Sequence, residues 1–436
     1  MTGLSNEAVG LIGVAALLVM VVLGVRVYIA AALVGLVGLI ALLGWDAGAG
    51  MIGTIPHSKS VTYTLSVLPM FILIGFLAFH AGITRALFDA SRKWLGWLPG
   101  GLAVASVMAT AGFAAVSGAS TATAAVFARV AIPEMLAAGY SRRIAAGVVA
   151  AGGTLATLIP PSAILVIYAI IVEESVGQLL LAGFIPGLVS ALIYVAIILL
   201  WAKLDPKIGP GIHGYTWSDR VRSLPGTFPV IAVVIIIFSA MYYGWATPTE
   251  AGALGAFVVF LMAVANGLRW GAFKESLLDT AKLTVMIFSL IWGVLAFVRF
   301  LGFAGLPEQF TNFIVSLPFE PWVVMIFILI GYAILGMFMD AIGMLLLTLP
   351  VVYPAVMALG YDPIWFGIIV VKMAEVCLVT PPIGLNCFVV SAVRPDIPIT
   401  TVFRGVGPFV VADFITIAVF MIWPEVITWL PQTLLN

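Results

Sequence analysis

A proline pair interrupts an apolar run at 160–161, and a second pair does the same at 381–382. Each pair begins twenty residues after the tyrosine of a Gly-Tyr step (139–140 and 360–361), and a proline, Pro133 or Pro354, lies six residues before each glycine. The pattern is P-x5-G-Y-x19-PP both times, at a constant offset of 221 residues. A double proline removes backbone donors and bars a continuous helix. Breaks repeated in one register point to an internal repeat. Carbonyls freed at such a break can bind a cation, and nearby half-helix N-termini can bind an anion.

The chain around the breaks has 436 residues, 63% of them hydrophobic and only 9% charged, with a mean hydropathy of +1.22. Long apolar runs with so few charges specify an all-α polytopic membrane protein. The net charge of zero argues against nucleic acid as a partner. The first apolar run lacks a basic leader segment, so no cleavable signal is expected. Spans are expected near 8–24, 28–44, 62–82, 143–170, 177–203, 228–244, 248–267, 280–302, 362–392 and 404–430. The stretches 101–136 and 321–358 carry glycine or polar residues at their centres and have halves too short to span, which suits re-entrant hairpins. Segments 84–97 and 304–318 mix charge and apolar residues and read as amphipathic helices at the membrane interface. Cys377 and Cys387 lie ten residues apart in one apolar segment and read as small core residues.

Lys and Arg set the orientation. Fifteen of them (Arg26, Arg85, Arg92, Lys93, Arg142, Arg143, Lys203, Lys207, Arg220, Arg222, Arg269, Lys274, Lys282, Arg394 and Arg404) fall at one set of alternate ends, against Lys59 alone at the other. Both termini are therefore expected outside. Five crossings separate segments 143–170 and 362–392, and an odd number means the two copies run in opposite directions. The expected organisation is two inverted repeats, 1–220 and 221–436, each with scaffold spans, a hairpin and a broken helix. Inverted repeats with discontinuous helices mark secondary transporters that bind cargo near the midplane.

The polar residues at the breaks are the candidate site. Ser117, Gly118, Ser120, Thr121 and Thr123 cluster at the first hairpin tip, facing Pro160, Pro161 and Ser162 in the expected fold. Hydroxyls and glycine carbonyls are hard oxygen ligands suited to Na⁺, while Ser and Thr also serve as packing and hydrogen-bonding residues in membrane helices. The second half offers Gly336, Asp340, Thr380, Pro381, Pro382, Gly384 and Asn386. Asp340 is either a cation ligand or a helix cap, and Asn386 can serve ion or substrate. Asp340 aligns with Ala119, so the two ion sites are expected to be unequal. Candidate Na⁺ ligands are thus Ser117, Gly118, Pro160, Ser162, Gly336, Asp340, Thr380, Pro381 and Gly384; candidate substrate contacts are Ser120, Thr121, Thr123, Pro161, Asn386 and Arg299. Arg299 either snorkels to the interface or turns inward to a carboxylate. Lys372 and Glu375, three apart, are expected to pair. In Thr247-Pro248-Thr249-Glu250, Thr247 reads as N-cap, Pro248 as N1 and Glu250 as N3 of a capping box. His57, His80 and His213 show no ligand spacing. Nucleotide-binding and nucleophile motifs are missing, so neither ATP drive nor an embedded enzyme is favoured.

The segments "SGASTATAAVFARVAIPEMLAAGY", "GGTLATLIPPSAILVIYA", "AGFIPGL", "TPTEAGALG", "MDAIGMLLLTLPVVYPAVMALGYDP" and "EVCLVTPPIGLNCFVV" resemble the large membrane subunit of tripartite ATP-independent periplasmic (TRAP) transporters. The resemblance runs over nearly the whole chain. It implies a sodium-coupled, elevator-type importer of a small organic anion, carboxylate or sulfonate, in the bacterial inner membrane, with Na⁺ as coupling ion and no organic cofactor; the two half-sites suggest at least two Na⁺. It also implies two partners, a small four-helix membrane subunit on a separate chain and a periplasmic substrate-binding protein. A binding-protein-independent Na⁺/anion symporter of related architecture is the alternative reading.

Overall fold

The computed structural model describes residues 4–205 and 209–435; Lys207, used above for orientation, lies outside them. The first half runs α1 (Asn6–Val22), α2 (Val27–Leu43), α3 (Trp45–Gly53), α4 (Ile55–Ser60), α5 (Val67–His80), α6 (Ile83–Leu95), α7 (Gly101–Ser117), α8 (Ser120–Ala137), α9 (Arg142–Thr154), α10 (Ala163–Val172) and α11 (Val176–Leu204). The second runs α12 (Trp217–Ser223), α13 (Phe228–Tyr242), α14 (Pro248–Ala265), α15 (Trp270–Ala304), α16 (Leu306–Val315), α17 (Pro321–Gly336), α18 (Ala341–Ala358), α19 (Pro363–Val379), α20 (Leu385–Val393), α21 (Ile399–Ile422) and α22 (Glu425–Leu435). No strand occurs among the described residues. Among the described residues six helices are long and apolar enough to cross a membrane: α5 with the 3-10 turn before it, α11, α14, α15, α18 and α21. α18 was expected as a hairpin half too short to span, whereas α1 and α2, expected as spans, are shorter apolar helices of 17 residues each.

The helices break where the sequence places the proline pairs. α9 continues through a 3-10 turn at Leu155–Thr157 and stops before Pro160, and the chain restarts as α10 behind an N-cap at Ser162. α19 ends at Val379, and α20 starts behind Gly384, whose φ of 46° lies in the left-handed region glycine favours. Both Pro–Pro bonds are cis. The hairpins turn at Gly118, with φ of 57°, and at Asp340, which caps α18. The element order recurs: span, amphipathic helix, hairpin, broken helix and span describe both α5 to α11 and α15 to α21.

Three expectations need correction. The segment 404–430 is two helices, because Trp423 leaves helical geometry just before Pro424. The span expected at 280–302 belongs to a 35-residue helix whose first turns carry Lys274, Glu275 and Asp279 beyond the apolar run. Residues 45–60, assigned no structure from the sequence, form α3 and α4.

Packing relies on small residues, as expected where lipid removes most of the hydrophobic drive between helices. α2 meets α15 at backbone contact: a Cβ on Gly35 would stand 2.6 Å from Phe297 N, and one on Gly293 would collide with the Tyr28 carbonyl. Gly293→Val is therefore expected to force these helices apart and destabilise the fold by roughly 1–3 kcal/mol or more. A lower melting temperature of the detergent-solubilised chain checks this, and an unchanged one refutes it.

Each amphipathic helix lies on its own hairpin, α6 on α7 and α16 on α18. On α6, Arg92 bridges Asp89 at 2.7 Å and Glu134 of α8 at 2.8 Å, fastening the helix to the hairpin. Hydrogen bonds from Arg92 and Lys93 hold the Asp89 carboxyl below its ordinary range, against the opposing pull of partial burial. The second half of each broken helix packs on the other half's hairpin, α20 on α8 and α10 on α18.

Candidate functional site

The crosswise packing gathers four helix N-termini. Ser120 of α8, Ala163 of α10, Ala341 of α18 and Leu385 of α20 all line one central cavity of about 660 Å³. Both hairpin tips reach it, Gly118 to Thr121 from one side and Phe338 to Ile342 from the other. Its remaining wall is apolar, from α1, α2, α5, α15 and α19, apart from Arg26 and Tyr28, whose side chains are hydrogen-bonded at 3.3 Å. Each N-terminus carries the positive end of a helix dipole, though at α10 and α18 some first-turn N–H groups are already taken, that of Ala163 by the Gly118 carbonyl and that of Gly343 by Asp340. A cavity ringed by four of them favours an anion.

The first tip and the first break are in contact. The Ala163 N–H donates to the Gly118 carbonyl at 3.5 Å, and a Cβ on Gly118 would stand 2.5 Å from the Pro161 carbonyl oxygen. Pro160 lies at the back of the break, against Gly183 of α11. Ser162 donates to the Thr157 carbonyl and accepts from the Leu165 N–H, so its hydroxyl holds the break in shape. Ser117 and Thr123 are buried, with their hydroxyls 2.8 Å apart. Thr123 also donates to the Ala119 carbonyl. The substrate role given to Thr123 therefore meets a different geometry: its hydroxyl closes the hairpin from inside, while Thr121 stands at the cavity.

Asn386 joins the two halves. Its Nδ2 donates to Ser120 Oγ at 2.8 Å and to the Ala150 carbonyl at 3.2 Å, while its buried Oδ1 has no partner. An orphaned buried carbonyl oxygen beside a serine hydroxyl fits a hard monovalent cation. At the second tip, Asp340 is half-buried, lines the cavity and accepts from the Gly343 N–H at 3.0 Å. The cap reading is thus realised, and the carboxylate still faces the cavity. Gly336 packs against Cys377, where any side chain would collide with the sulfur. The Thr380 hydroxyl returns to the Val376 carbonyl at 2.6 Å, and Pro381 and Pro382 are exposed where Pro160 and Pro161 are buried.

Arg299 needs correction as a substrate contact. Its guanidinium donates to the Met51 carbonyl at 2.5 Å and reaches Thr54 Oγ1 at 3.4 Å, so it holds the C-terminal end of α3. The capping box at Thr247–Glu250 is formed as expected, with Glu250 Oε2 accepting from the Thr247 N–H at 2.7 Å.

Lys372 and Glu375 pair at 2.5 Å, and a third residue joins them: Asp413 of α21, 2.8 Å from the Lys372 ammonium. Sequence reasoning missed Asp413, although a lone carboxylate within an apolar run is itself a signal. Two further cavities flank the site. One, of about 310 Å³, lies between α5, α8 and α15 and is lined by Phe76, Ala122 and Arg129 with Glu275 and Asp279. The other, of about 320 Å³, lies between α10, α15 and α18 beside Lys59, Ile171 and Leu346.

A family model described as "Tripartite ATP-independent periplasmic transporter, DctM component" matches residues 14–426. The C4-dicarboxylate TRAP transporter large permease protein DctM of Pseudomonas aeruginosa is 35% identical over 85% of this chain and 87% of its own. The sialic acid TRAP transporter large permease protein SiaM of Vibrio cholerae is 32% identical over 86% and 87%. The isethionate TRAP transporter permease protein DctMQ of Oleidesulfovibrio alaskensis is 31% identical over 76% of this chain, which spans only 52% of that protein. In fold, the chain is similar to the YdaH transporter of Alcanivorax borkumensis, with a TM-score of 0.58 at 14% identity over 88% of this chain and 90% of that one.

Proposed function

The chain belongs to the DctM component of TRAP transporters, the large membrane subunit, and on that footing we propose that it is a sodium-coupled importer of a small organic anion working by an elevator motion. The carrying observation is the single cavity ringed by four half-helix N-termini and both hairpin tips. The N-termini supply the field for a carboxylate or sulfonate; Ser120 and Thr121, which line the cavity, supply its hydrogen bonds, and the bare Asn386 Oδ1 beside Ser120 is left for a cation. Sodium is held on the carbonyl ends of the same breaks, around Ser117, Gly118 and Pro161 in one half and Asp340, Thr380 and Gly384 in the other. The relatives named for C4-dicarboxylate, sialic acid and isethionate favour an acidic cargo. Arg26, on the side where most Lys and Arg fall, stands at the cavity rim as the first cation met on cytoplasmic release.

The moving body is the pair of hairpins with the broken helices, carried by α6 and α16. The fixed body is α1, α2, α13 and α14 with α5 and α15, which pack on them. Each half of the chain supplies one inverted repeat. The small membrane subunit docks on the fixed body, and a periplasmic substrate-binding protein delivers the anion. The permease DctMQ, of which this chain spans about half, has room for such a subunit in the same polypeptide.

Proteoliposomes holding both membrane subunits, with binding protein loaded with a C4-dicarboxylate, sialic acid or isethionate, are expected to accumulate cargo only under an inward Na⁺ gradient. Equal uptake in K⁺ buffer would end the sodium reading. Asp340→Asn is expected to raise the Na⁺ concentration for half-maximal uptake by roughly tenfold, the equivalent of about 1.4 kcal/mol of lost cation attraction. Its melting temperature should stay within a degree or two of the parent, because asparagine also caps helices. A parental Na⁺ dependence would remove Asp340 from the ion site.

A further inference from the structure

Lys372, Glu375 and Asp413 lie where the two broken helices cross, outside the central cavity. Lys372 and Glu375 are on α19, nine and six residues before Pro381, and Glu375 accepts from Thr157, three residues before Pro160, at 2.6 Å. All three side chains are fully buried, at 0% exposure. One ammonium thus serves two carboxylates, and full ionisation leaves one negative charge uncompensated. Such a charge is among the costliest things a membrane interior can hold.

Among the described residues, no second cation reaches the cluster. The groups facing it are Tyr194 of α11, which donates to Asp413 Oδ1 at 2.6 Å and lies 3.3 Å from Thr154 Oγ1, and Thr157 itself. Arg142 and Arg143, at the far end of α9, donate to the carbonyls of Asp396 and Arg404. On other packed helices, Tyr168 donates to the Pro363 carbonyl, Tyr332 accepts from Thr348, and Cys377 lies against the Tyr332 carbonyl. Asp340 and Asp362 cap α18 and α19. Both Glu375 oxygens receive a donor, whereas the buried Oδ2 of Asp413 has no partner.

We propose that this cluster is a proton-binding site, in which one proton shared between Glu375 and Asp413 completes its charge. Two carboxylates coupled through one ammonium take up a proton as a unit. The bare Asp413 oxygen is the place a proton would occupy, and none of the cavities described above is lined by these residues. The proton holds the crossing of the two broken helices together, independently of whether sodium drives transport.

The folded chain then binds a proton that the unfolded chain, with ordinary ionised carboxylates, has lost. Stability therefore falls as pH rises above the ordinary carboxylate range, tenfold in the unfolding equilibrium per pH unit, until the cluster releases its proton. Asp413→Asn and Glu375→Gln each leave a neutral ammonium–carboxylate pair and abolish this dependence.

The test uses the detergent-solubilised full chain in an Asp340→Asn background, so that the hairpin carboxyl does not contribute. Melting temperatures from about pH 6 to about pH 9 are expected to fall more steeply in the background chain than with either added substitution. The infrared band of a protonated carboxylic acid should be present at neutral pH and lost in both variants. Matching pH profiles with the band retained in both would overturn the proposal. Should a variant not fold, the background chain decides alone: the neutral-pH band must be present and must disappear reversibly at alkaline pH, and its absence refutes the site.

Discussion

Replacing Lys372 by methionine is expected to destabilise the folded chain by about 3–5 kcal/mol, the usual effect of removing one partner from a buried ion pair. Methionine fills much of the same volume, so the loss is electrostatic. Lys372 gives its ammonium to Glu375 at 2.5 Å and to Asp413 at 2.8 Å, and it lies 5.4 Å from the centre of the Tyr194 ring. Without it, two fully buried carboxylates face each other across the crossing of α19 and α21. The remedy follows from the same reasoning: adding Glu375→Gln and Asp413→Asn to Lys372→Met removes every charge and should recover much of the loss. Melting temperature and the yield of monodisperse protein report both effects. A single variant that melts with the parent would show that Lys372 is not the counter-ion, and a triple variant no better than the single would trace the loss to packing.

The apolar helices, the two helix breaks and the turns at Gly118 and Asp340 were legible in the sequence because each is written locally, in an apolar run, a proline pair or a cluster of small and polar residues. Which helices are long enough to span was less legible, since α1 and α2 fall short and α18 does not. The capping box at Thr247–Glu250 was legible for the same reason, since its partners lie three residues apart. What escaped depends on partners far away along the chain. Glu375 meets Thr157 across 218 residues, and Asn386 meets Ser120 across 266. Nothing near Asp413 announces Lys372. Arg299 was left between lipid interface and substrate because its actual partner, the end of α3, was a helix the sequence did not reveal. α3 is short and glycine-containing, with none of the apolar length by which the spans declare themselves. Within the candidate site, the clustering of residues at tips and breaks could be read in advance. Which hydroxyl turns to the cavity and which closes the hairpin could not, because in Ser120-Thr121-Ala122-Thr123 that depends on the tilt of α8 against α9 and α20.

A cross-link between the moving and fixed bodies is expected to abolish transport, and one within the moving body is expected to spare it. Phe76 of α5 and Ala122 of α8 line the same cavity of about 310 Å³, on helices assigned to the fixed and moving bodies. In a background carrying Cys377→Ala and Cys387→Ala, Phe76→Cys with Ala122→Cys should be joined by a short bifunctional thiol reagent. Uptake should then fall to background and return when the bridge is cleaved. The contrasting pair is Ile171→Cys of α10 with Leu346→Cys of α18, which share the cavity beside Lys59. Both helices belong to the moving body, and α10 packs on α18. If hairpins and broken helices travel as one unit past α2, α5, α14 and α15, this bridge should leave most uptake intact, because the unit carries its binding cavity without rebuilding it. If instead the second hairpin opens as a local gate against α10, the same bridge must stop transport while the first one is tolerated. The two constraints thus predict opposite patterns for the two mechanisms, and loss of uptake with the Ile171–Leu346 bridge alone would replace the elevator with a gate.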